Sequence, residues 1–145
     1  MSNYVVLALI AALGGIMVSL QAQLMGIMDR QLGTLESVFI TYGLGGLIIG
    51  GTMLFYRGGN LTAYASVPWY TLLTGLMGLI IVGAIGYTSP RLGLLPALTI
   101  LVMAQFAAAA LIDHFGMLGA EIRPLTLIRG SGILVMLLGI WMTLR

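Results

Sequence analysis

The chain has no cysteine, no lysine and very little charge of either sign. Only 7% of its 145 residues are charged, whereas about a quarter would be charged in a soluble domain, so a water-soluble fold is excluded. The absence of cysteine excludes disulfides, thiolate metal ligands and a cysteine nucleophile. The six arginines are scattered, and no basic run suggests a nucleic-acid surface. We therefore expect no nucleic-acid partner, no metal and no cofactor.

Long apolar runs dominate the chain instead. Hydrophobic residues make up 60% of it, and its mean hydropathy is +1.11. Each run is long enough to cross the hydrocarbon core of a bilayer as a helix, which takes roughly 20 residues. The runs lie near residues 4–28, 35–56, 67–88, 92–112 and 125–144. The sequence predicts an all-α membrane protein whose residues 1–145 form a single five-span domain.

The arginines are divided evenly between the two sides of the membrane. With five crossings, the N-terminus and the second and fourth loops share one side, and the other loops and the C-terminus share the opposite side. The first side has Arg57, Arg123 and Arg129, and the second has Arg30, Arg91 and Arg145. An excess of Lys and Arg in short loops normally fixes orientation, and here there is none. We predict that the chain inserts in both orientations and pairs as a ten-helix antiparallel homodimer.

The predicted loops are short, which makes consecutive spans neighbours. They comprise residues 29–33, residues 57–67, a tight turn at Ser89-Pro90-Arg91, and residues 113–124. We expect Thr34 to cap the second span, because its hydroxyl can accept a hydrogen bond from the first turn. We expect Pro124 to lie in the first turn of the fifth helix, where a missing N–H costs nothing.

The spans are rich in glycine, which accounts for 21 residues of the chain. Gly46 and Gly50 are four apart on one face of the second span, and Gly43 and Gly51 lie nearby. Small residues let helix backbones approach closely in lipid, where no hydrophobic effect drives association. The glycines therefore favour a compact bundle whose helices can slide or rock.

Several stretches of the sequence match the pattern of a known family. From Gly86 the order is Tyr87-Thr88-Ser89-Pro90-Arg91-Leu92-Gly93, followed by Gln105 and then by Ile112-Asp113-His114-Phe115-Gly116. Gly119, Arg123-Pro124-Leu125, Gly132 through Gly139, Gln21-Ala22-Gln23-Leu24 and Pro68-Trp69 also fit, while Met25 stands where the pattern has asparagine. On these residues the chain resembles a small five-span YdcZ-type member of the drug/metabolite transporter superfamily, over almost its whole length.

This resemblance implies a function and an assembly. Full-length relatives have ten spans, arranged as two five-span halves of opposite orientation. Five-span members pair with a second copy of themselves or with an oppositely oriented homologue, and relatives move small organic molecules by alternating access. We therefore interpret the chain as a multi-pass transporter of a prokaryotic plasma (inner) membrane. Its expected partners are the lipid bilayer, a second copy in antiparallel orientation and a small-molecule substrate.

Polar side chains inside the spans are the candidates for substrate binding, because turning them to lipid is costly. Gln105 lies near the middle of the fourth span and Gln21 in the first, and an amide can both donate and accept hydrogen bonds. The alternative for both is a hydrogen bond between helices. Tyr42 and Tyr87 could stack on organic cations. Their alternative is packing or a position at the membrane interface.

Three ionisable residues are candidates for coupling or gating. Asp113 and His114 close the fourth span, where a carboxylate opposes the helix dipole, so Asp113 should have a partner in Arg123, Arg129 or the loop backbone. Glu36 lies in the first turn of the second span, where the dipole favours an acid, yet an acid below the headgroups is also a functional candidate. The alternatives are anchoring of the fourth loop for Asp113, an interfacial position for His114 and a dipole contact for Glu36.

The sequence has no enzyme signature, and we expect no catalytic residue. Gly43-Leu44-Gly45-Gly46 lies inside a span and cannot be a phosphate loop, and Ser131 has no histidine placed to activate it. Two functions other than a carrier are open at this stage. They are a small channel formed by the same dimer and an accessory membrane subunit without transport activity.

Overall fold

The computed structural model describes residues 2–143, and within that range every regular element is helical. Five α-helices follow one another: α1 Ser2–Leu32, α2 Thr34–Phe55, α3 Thr74–Leu92, α4 Leu94–Phe115 and α5 Leu127–Thr143. Short 3-10 helices, Leu61–Ser66 and Trp69–Leu73, lie between α2 and α3, and Met117–Gly119 follows α4. The all-α fold is confirmed. Leu144, and the Arg145 used in the charge count, lie outside the described residues.

Four described helical segments are long and apolar enough to cross a membrane. They are Asn3–Leu32, Thr34–Phe55, Trp69–Leu92 and Leu94–Phe115. These segments confirm the first four predicted spans as long apolar helices. The apolar helix α5 has 17 residues. At a rise of about 1.5 Å per residue it falls a little short of a hydrocarbon core about 30 Å thick, so a fifth crossing stays a prediction.

Two of the predicted loops are wrong, because the helices before them continue for another turn. Helix α1 runs through the predicted loop 29–33, and α3 runs through the predicted turn at Ser89-Pro90-Arg91. Each of these helices is then joined to the next by one glycine, Gly33 with φ 107° and Gly93 with φ 94°. Only glycine adopts such angles at no steric cost. Apart from Gly33, the residues that were predicted to form these two loops therefore lie in the last turns of α1 and α3.

The predicted starts of two helices are also wrong. Gly33 is the N-cap of α2, and Thr34 is its first residue. The Thr34 hydroxyl donates a hydrogen bond to Asp29 and is therefore not used as a cap. Pro124 lies before α5 and not in its first turn. Thr126 caps this helix instead, because its Oγ1 accepts a hydrogen bond of 3.3 Å from the backbone N–H three residues later.

The chain divides into two compact units, residues 1–91 and residues 92–145. In the first unit, the C-terminal half of α1, the start of α2 and the end of α3 pack around a small core. Met25 is 1% exposed and Ser37 is fully buried. A Cβ on Gly86 would lie 3.0 Å from Met25 Cε and 3.6 Å from Ser37 Oγ. Glycine at this position therefore lets the three helices meet closely.

In the second unit, α4 packs against α5, and the segment 116–126 that joins them turns back onto the end of α4. Gly116 ends α4 with a left-handed φ of 60°, and its N–H donates to the carbonyl oxygen of Ile112. The N–H of Arg123 donates to the carbonyl oxygen of Asp113 at 2.8 Å. This segment is thus tied to the last turn of α4, which contains Asp113 and His114.

Candidate functional site

Asp29, near the end of α1, is the most enclosed carboxylate of the described residues. Its side chain is 2% exposed, and its Oδ2 lies 2.7 Å from Nη1 of Arg91 on α3. Its Oδ1 accepts a hydrogen bond from the hydroxyl of Thr34 on α2. One carboxylate therefore has partners on both neighbouring helices, and the three helices of the first unit meet at it.

Arg91 has contacts beyond this ion pair. Its Nη1 also donates to the carbonyl oxygen of Tyr87 at 2.6 Å, and its guanidinium carbon lies 3.8 Å from the centroid of the Tyr87 ring. Next to it, Arg30 Nη2 donates to the carbonyl oxygen of Pro90 at 3.3 Å. The backbones are close here, since a Cβ on Gly26 would lie 3.5 Å from Pro90 Cδ. Arginines from α1 and α3 thus hold the same end of the helices together.

We call Asp29, Thr34, Tyr87 and Arg91 the three-helix cluster. Asp29 has no role in the sequence-based prediction, which places it and Arg91 in loops. A signal for the pair was present, because the first and third loops were assigned to the same side of the membrane and contain opposite charges. A buried carboxylate in a membrane protein is a functional candidate by default. The three-helix cluster is therefore a further candidate functional site.

The two tyrosines proposed to stack on cations both have neighbours in the first unit. Arg91 covers one face of the Tyr87 ring and already supplies a cation there. The hydroxyl of Tyr42 lies against Gly78 of α3, at the place that a Cβ would occupy. Both contacts are packing contacts. Stacking of a substrate on either ring stays a prediction.

Gln21 lines an apolar cavity of about 750 Å³ between α1 and α2. The other lining side chains are aliphatic or methionine apart from one threonine: Met17, Leu20, Leu24, Met25, Ile27, Met28, Ile40, Thr41 and Leu44. Thr41 Oγ1 already donates to the carbonyl oxygen of Ser37 at 2.8 Å. The Gln21 amide has no hydrogen-bond partner within residues 2–143 and is the free polar group of this cavity. The volume suits a small organic molecule.

Glu36 lies in a separate cleft of about 470 Å³ at the start of α2. Leu32, Leu35, Phe39 and Ile40 form the rest of its lining. The side chain is exposed in the first turn of the helix, and its Oε2 would lie 2.6 Å from a Cβ on Gly33. This is the position predicted from the helix dipole. A coupling role for Glu36 stays a prediction.

In the second unit, Asp113 lines a cavity of about 450 Å³ between α4 and α5, together with Arg123 and Arg129. Its carboxylate forms no hydrogen bond or ion pair within the described part of the chain, so the predicted direct partner is missing there. Arg123 Nη2 is paired with Glu121 Oε2 at 2.9 Å instead. This hydrogen bond and the charge of Glu121, and then the charge of Asp113, raise the pKa of Arg123 above its usual value. The charge of Asp113 thus acts on the Arg123 guanidinium although the two side chains form no ion pair.

His114 lies beside Asp113 and has a clear structural contact. Its Nδ1 accepts a hydrogen bond of 3.1 Å from the backbone N–H of Leu125, and its ring packs edge-to-face on Phe115 with centroids 4.8 Å apart. The contact joins the end of α4 to the segment before α5. The fourth loop is therefore anchored by His114 as well as by the backbone of Asp113.

Gln105 is exposed on α4 and does not line the cavity that contains Asp113. Its side-chain amide forms no hydrogen bond with any described residue. Gln21, Tyr42 and Tyr87 likewise occupy three different places in the first unit. Within each unit, the candidate substrate-binding residues do not converge on one cavity. No group of three His, Asp or Glu side chains that could hold a metal occurs among residues 2–143.

His114→Leu should loosen the segment 116–126, because the N–H of Leu125 loses its acceptor. An unmade hydrogen bond of this kind costs about 1 kcal/mol. His114→Asn is the matched variant, since its Oδ1 can take the place of Nδ1. Amide hydrogen exchange of this segment should be several-fold faster in His114→Leu and near wild type in His114→Asn. Equal exchange in the two variants would show that the contact does not hold the loop.

The chain matches a family model over nearly its whole length. Residues 6–142 match the family described as "Putative inner membrane exporter, YdcZ". No curated protein and no solved structure matches the chain. The family is one of exporters and not of enzymes, and its described location agrees with the long apolar helices. The chain is therefore a multi-pass inner-membrane protein that belongs to the YdcZ exporter family.

Proposed function

We propose that the protein exports small organic molecules by alternating access, as a dual-topology antiparallel homodimer of the drug/metabolite transporter class. The observation that carries this proposal is an uncovered glycine face on α2. Gly43, Gly46 and Gly50 lie on one side of the helix, and a Cβ on any of them would meet no described atom of the first unit within 4 Å. Glycine weakens a helix relative to alanine, so three of them on an unoccupied face need another reason.

A second copy supplies that reason. In lipid, small residues at a helix surface allow another helix to pack closely. The even division of arginines permits the second copy to have the opposite orientation. Two inverted copies related by an axis in the membrane plane place a substrate site near the midplane, between the halves. Gln105, which has no partner among the described residues, is well placed on its span to contribute an amide there.

Dual topology predicts that the C-terminus is found on both sides of the membrane in comparable amounts. Reporters that are active only inside and only outside the cell would be fused to Arg145 and compared. Two or three lysines added after Arg145 should drive this end to the cytoplasm, because positive charge is retained there. One silent and one strong reporter in the unmodified chain would exclude the inverted homodimer.

Transport itself is tested in liposomes that contain only this protein. Saturable, counterflow-competent flux of a substrate found by thermal-stability screening supports a carrier, whereas non-saturable flux supports a channel and no flux contradicts both. Gln105→Ala should weaken substrate affinity several-fold, because a substrate hydrogen bond contributes about 0.5–1.5 kcal/mol. Gln23→Ala is the matched control, since this amide is likewise exposed but lies on α1, outside the fourth span. Normal affinity with a reduced melting temperature in Gln105→Ala would assign this residue to assembly.

A further inference from the structure

The cavity between α4 and α5 has charges of both signs at one end and an apolar wall along the rest. Asp113, in the last turn of α4, and Arg129, in the first turn of α5, lie at its charged end. Phe106, Ile133 and Met136 lie one or more turns deeper along the same two helices. The charged end is thus where α4 ends and α5 begins. The apolar wall follows both helices away from this end, and in the proposed five-span arrangement it lies within the bilayer.

Neither of these two charges is satisfied within the described residues. The Asp113 carboxylate has no hydrogen bond or ion pair there. The Arg129 guanidinium has only a 3.4 Å contact from Nη1 to the carbonyl oxygen of Arg123, and no carboxylate lies within 4 Å of it. Arg123 is already paired with Glu121. The cavity therefore presents a carboxylate without a hydrogen bond and a guanidinium without an acidic partner to a molecule that enters it.

We propose that this cavity binds a zwitterionic phospholipid with a primary ammonium group, phosphatidylethanolamine. The ammonium would donate to Asp113, and the phosphate would accept from Arg129 and face the N-terminal end of α5, which favours an anion. One acyl chain would follow Phe106, Ile133 and Met136. The order of polar and apolar groups along the cavity is the order found in a lipid. A purely anionic lipid would bring its phosphate beside Asp113 without the ammonium that could donate to this carboxylate.

Native mass spectrometry of the purified full-length protein tests the proposal with three lipids of identical acyl chains. Phosphatidylethanolamine should be retained about tenfold more strongly than phosphatidylglycerol, because a charge-assisted hydrogen bond distinguishes the two lipids. Phosphatidylcholine should also bind less well, since its quaternary ammonium has no N–H donor. Asp113→Asn should abolish the preference for phosphatidylethanolamine, whereas Arg129→Gln should weaken retention of all three lipids. Arg57 is exposed and lies outside the cavity, so Arg57→Gln is the control. It should change neither the preference for phosphatidylethanolamine nor the overall retention of lipid.

Several results would overturn this assignment. Equal retention of the three lipids by the wild-type protein is decisive even if a variant fails to fold. An unchanged preference in Asp113→Asn would place the lipid elsewhere. Displacement of the lipid by phosphoethanolamine, which has the headgroup without the chains, would assign the cavity to a soluble ligand. Disulfide crosslinking between two copies through cysteines introduced at Phe106 and Ile133 would show that a second chain covers it.

Discussion

Arg91→Gln is expected to lower the thermal stability of the purified protein more than Asp29→Asn, although both changes break the same ion pair. The Arg91 side chain is 47% exposed and can turn to water when its partner is neutral, whereas the Asp29 side chain is 2% exposed. Removing the arginine leaves a buried carboxylate whose remaining partner in the described chain is the hydroxyl of Thr34. An uncompensated buried charge is strongly destabilising. Melting temperatures in one detergent would measure the difference.

Two further variants test whether the buried charge of Asp29 causes the loss of thermal stability in Arg91→Gln. Asp29→Asn combined with Arg91→Gln should recover much of the loss, because neither member of the pair is then charged. Arg123→Gln breaks an ion pair whose side chains are 59% and 83% exposed, so it should have little effect on stability. Equal melting temperatures for Arg91→Gln and Arg123→Gln would contradict a structural role of the three-helix cluster.

Gly78→Ala is expected to destabilise the first unit by about 1–3 kcal/mol, the usual cost of overpacking. The new methyl group would overlap the hydroxyl of Tyr42, which α2 holds against α3. Alanine is otherwise the better residue in a helix, so a loss of stability at this position cannot come from helix propensity. The folded fraction in increasing denaturant would give the free energy difference.

Helix α3 offers a control for Gly78→Ala, and α2 offers a second substitution that should restore the lost stability. Gly75→Ala should be neutral or slightly stabilising, because a Cβ there meets nothing within 4 Å. Tyr42→Phe should restore most of the stability lost in Gly78→Ala, since the nearest remaining ring atom, Cζ, lies 3.4 Å from the new Cβ. A double variant as unstable as Gly78→Ala alone would show that the clash lies elsewhere.

Hydropathy was enough to predict the first four spans of this fold. Four of the predicted spans appear as long apolar helices in the predicted order, because a helix that crosses lipid must be apolar throughout and about 20 residues long. Asp113 and His114 also lie at the end of α4, as predicted. The family resemblance, based on the stretch from Gly86 to Gly116 and a few shorter ones, is confirmed over residues 6–142.

The contacts between spans could not be predicted in the same way. Polar residues and a proline are typical of loops, which is why Asp29 and Ser89-Pro90-Arg91 were assigned to loops. Hydropathy treats each charged residue separately and so does not detect that Asp29 and Arg91 neutralise each other. Thr34 looks like an N-cap because only local sequence was considered, whereas its hydroxyl donates to Asp29 five residues earlier. The side-chain amide of Gln105 has no hydrogen-bond partner among the described residues, and its role stays a prediction.

Gly33 has a mechanical consequence. A link of one residue leaves only two backbone angles to relate α1 to α2, and both sides of it are tied: Gly33 N–H donates to the carbonyl oxygen of Asp29 at 3.0 Å, and Ser37 N–H donates to the carbonyl oxygen of Gly33 at 3.2 Å. The Thr34 hydroxyl spans the same link. The first two helices are therefore expected to move as one rigid unit, with no hinge between them. In a carrier built from this chain, the bending would fall to the longer connection at residues 56–73, between α2 and α3.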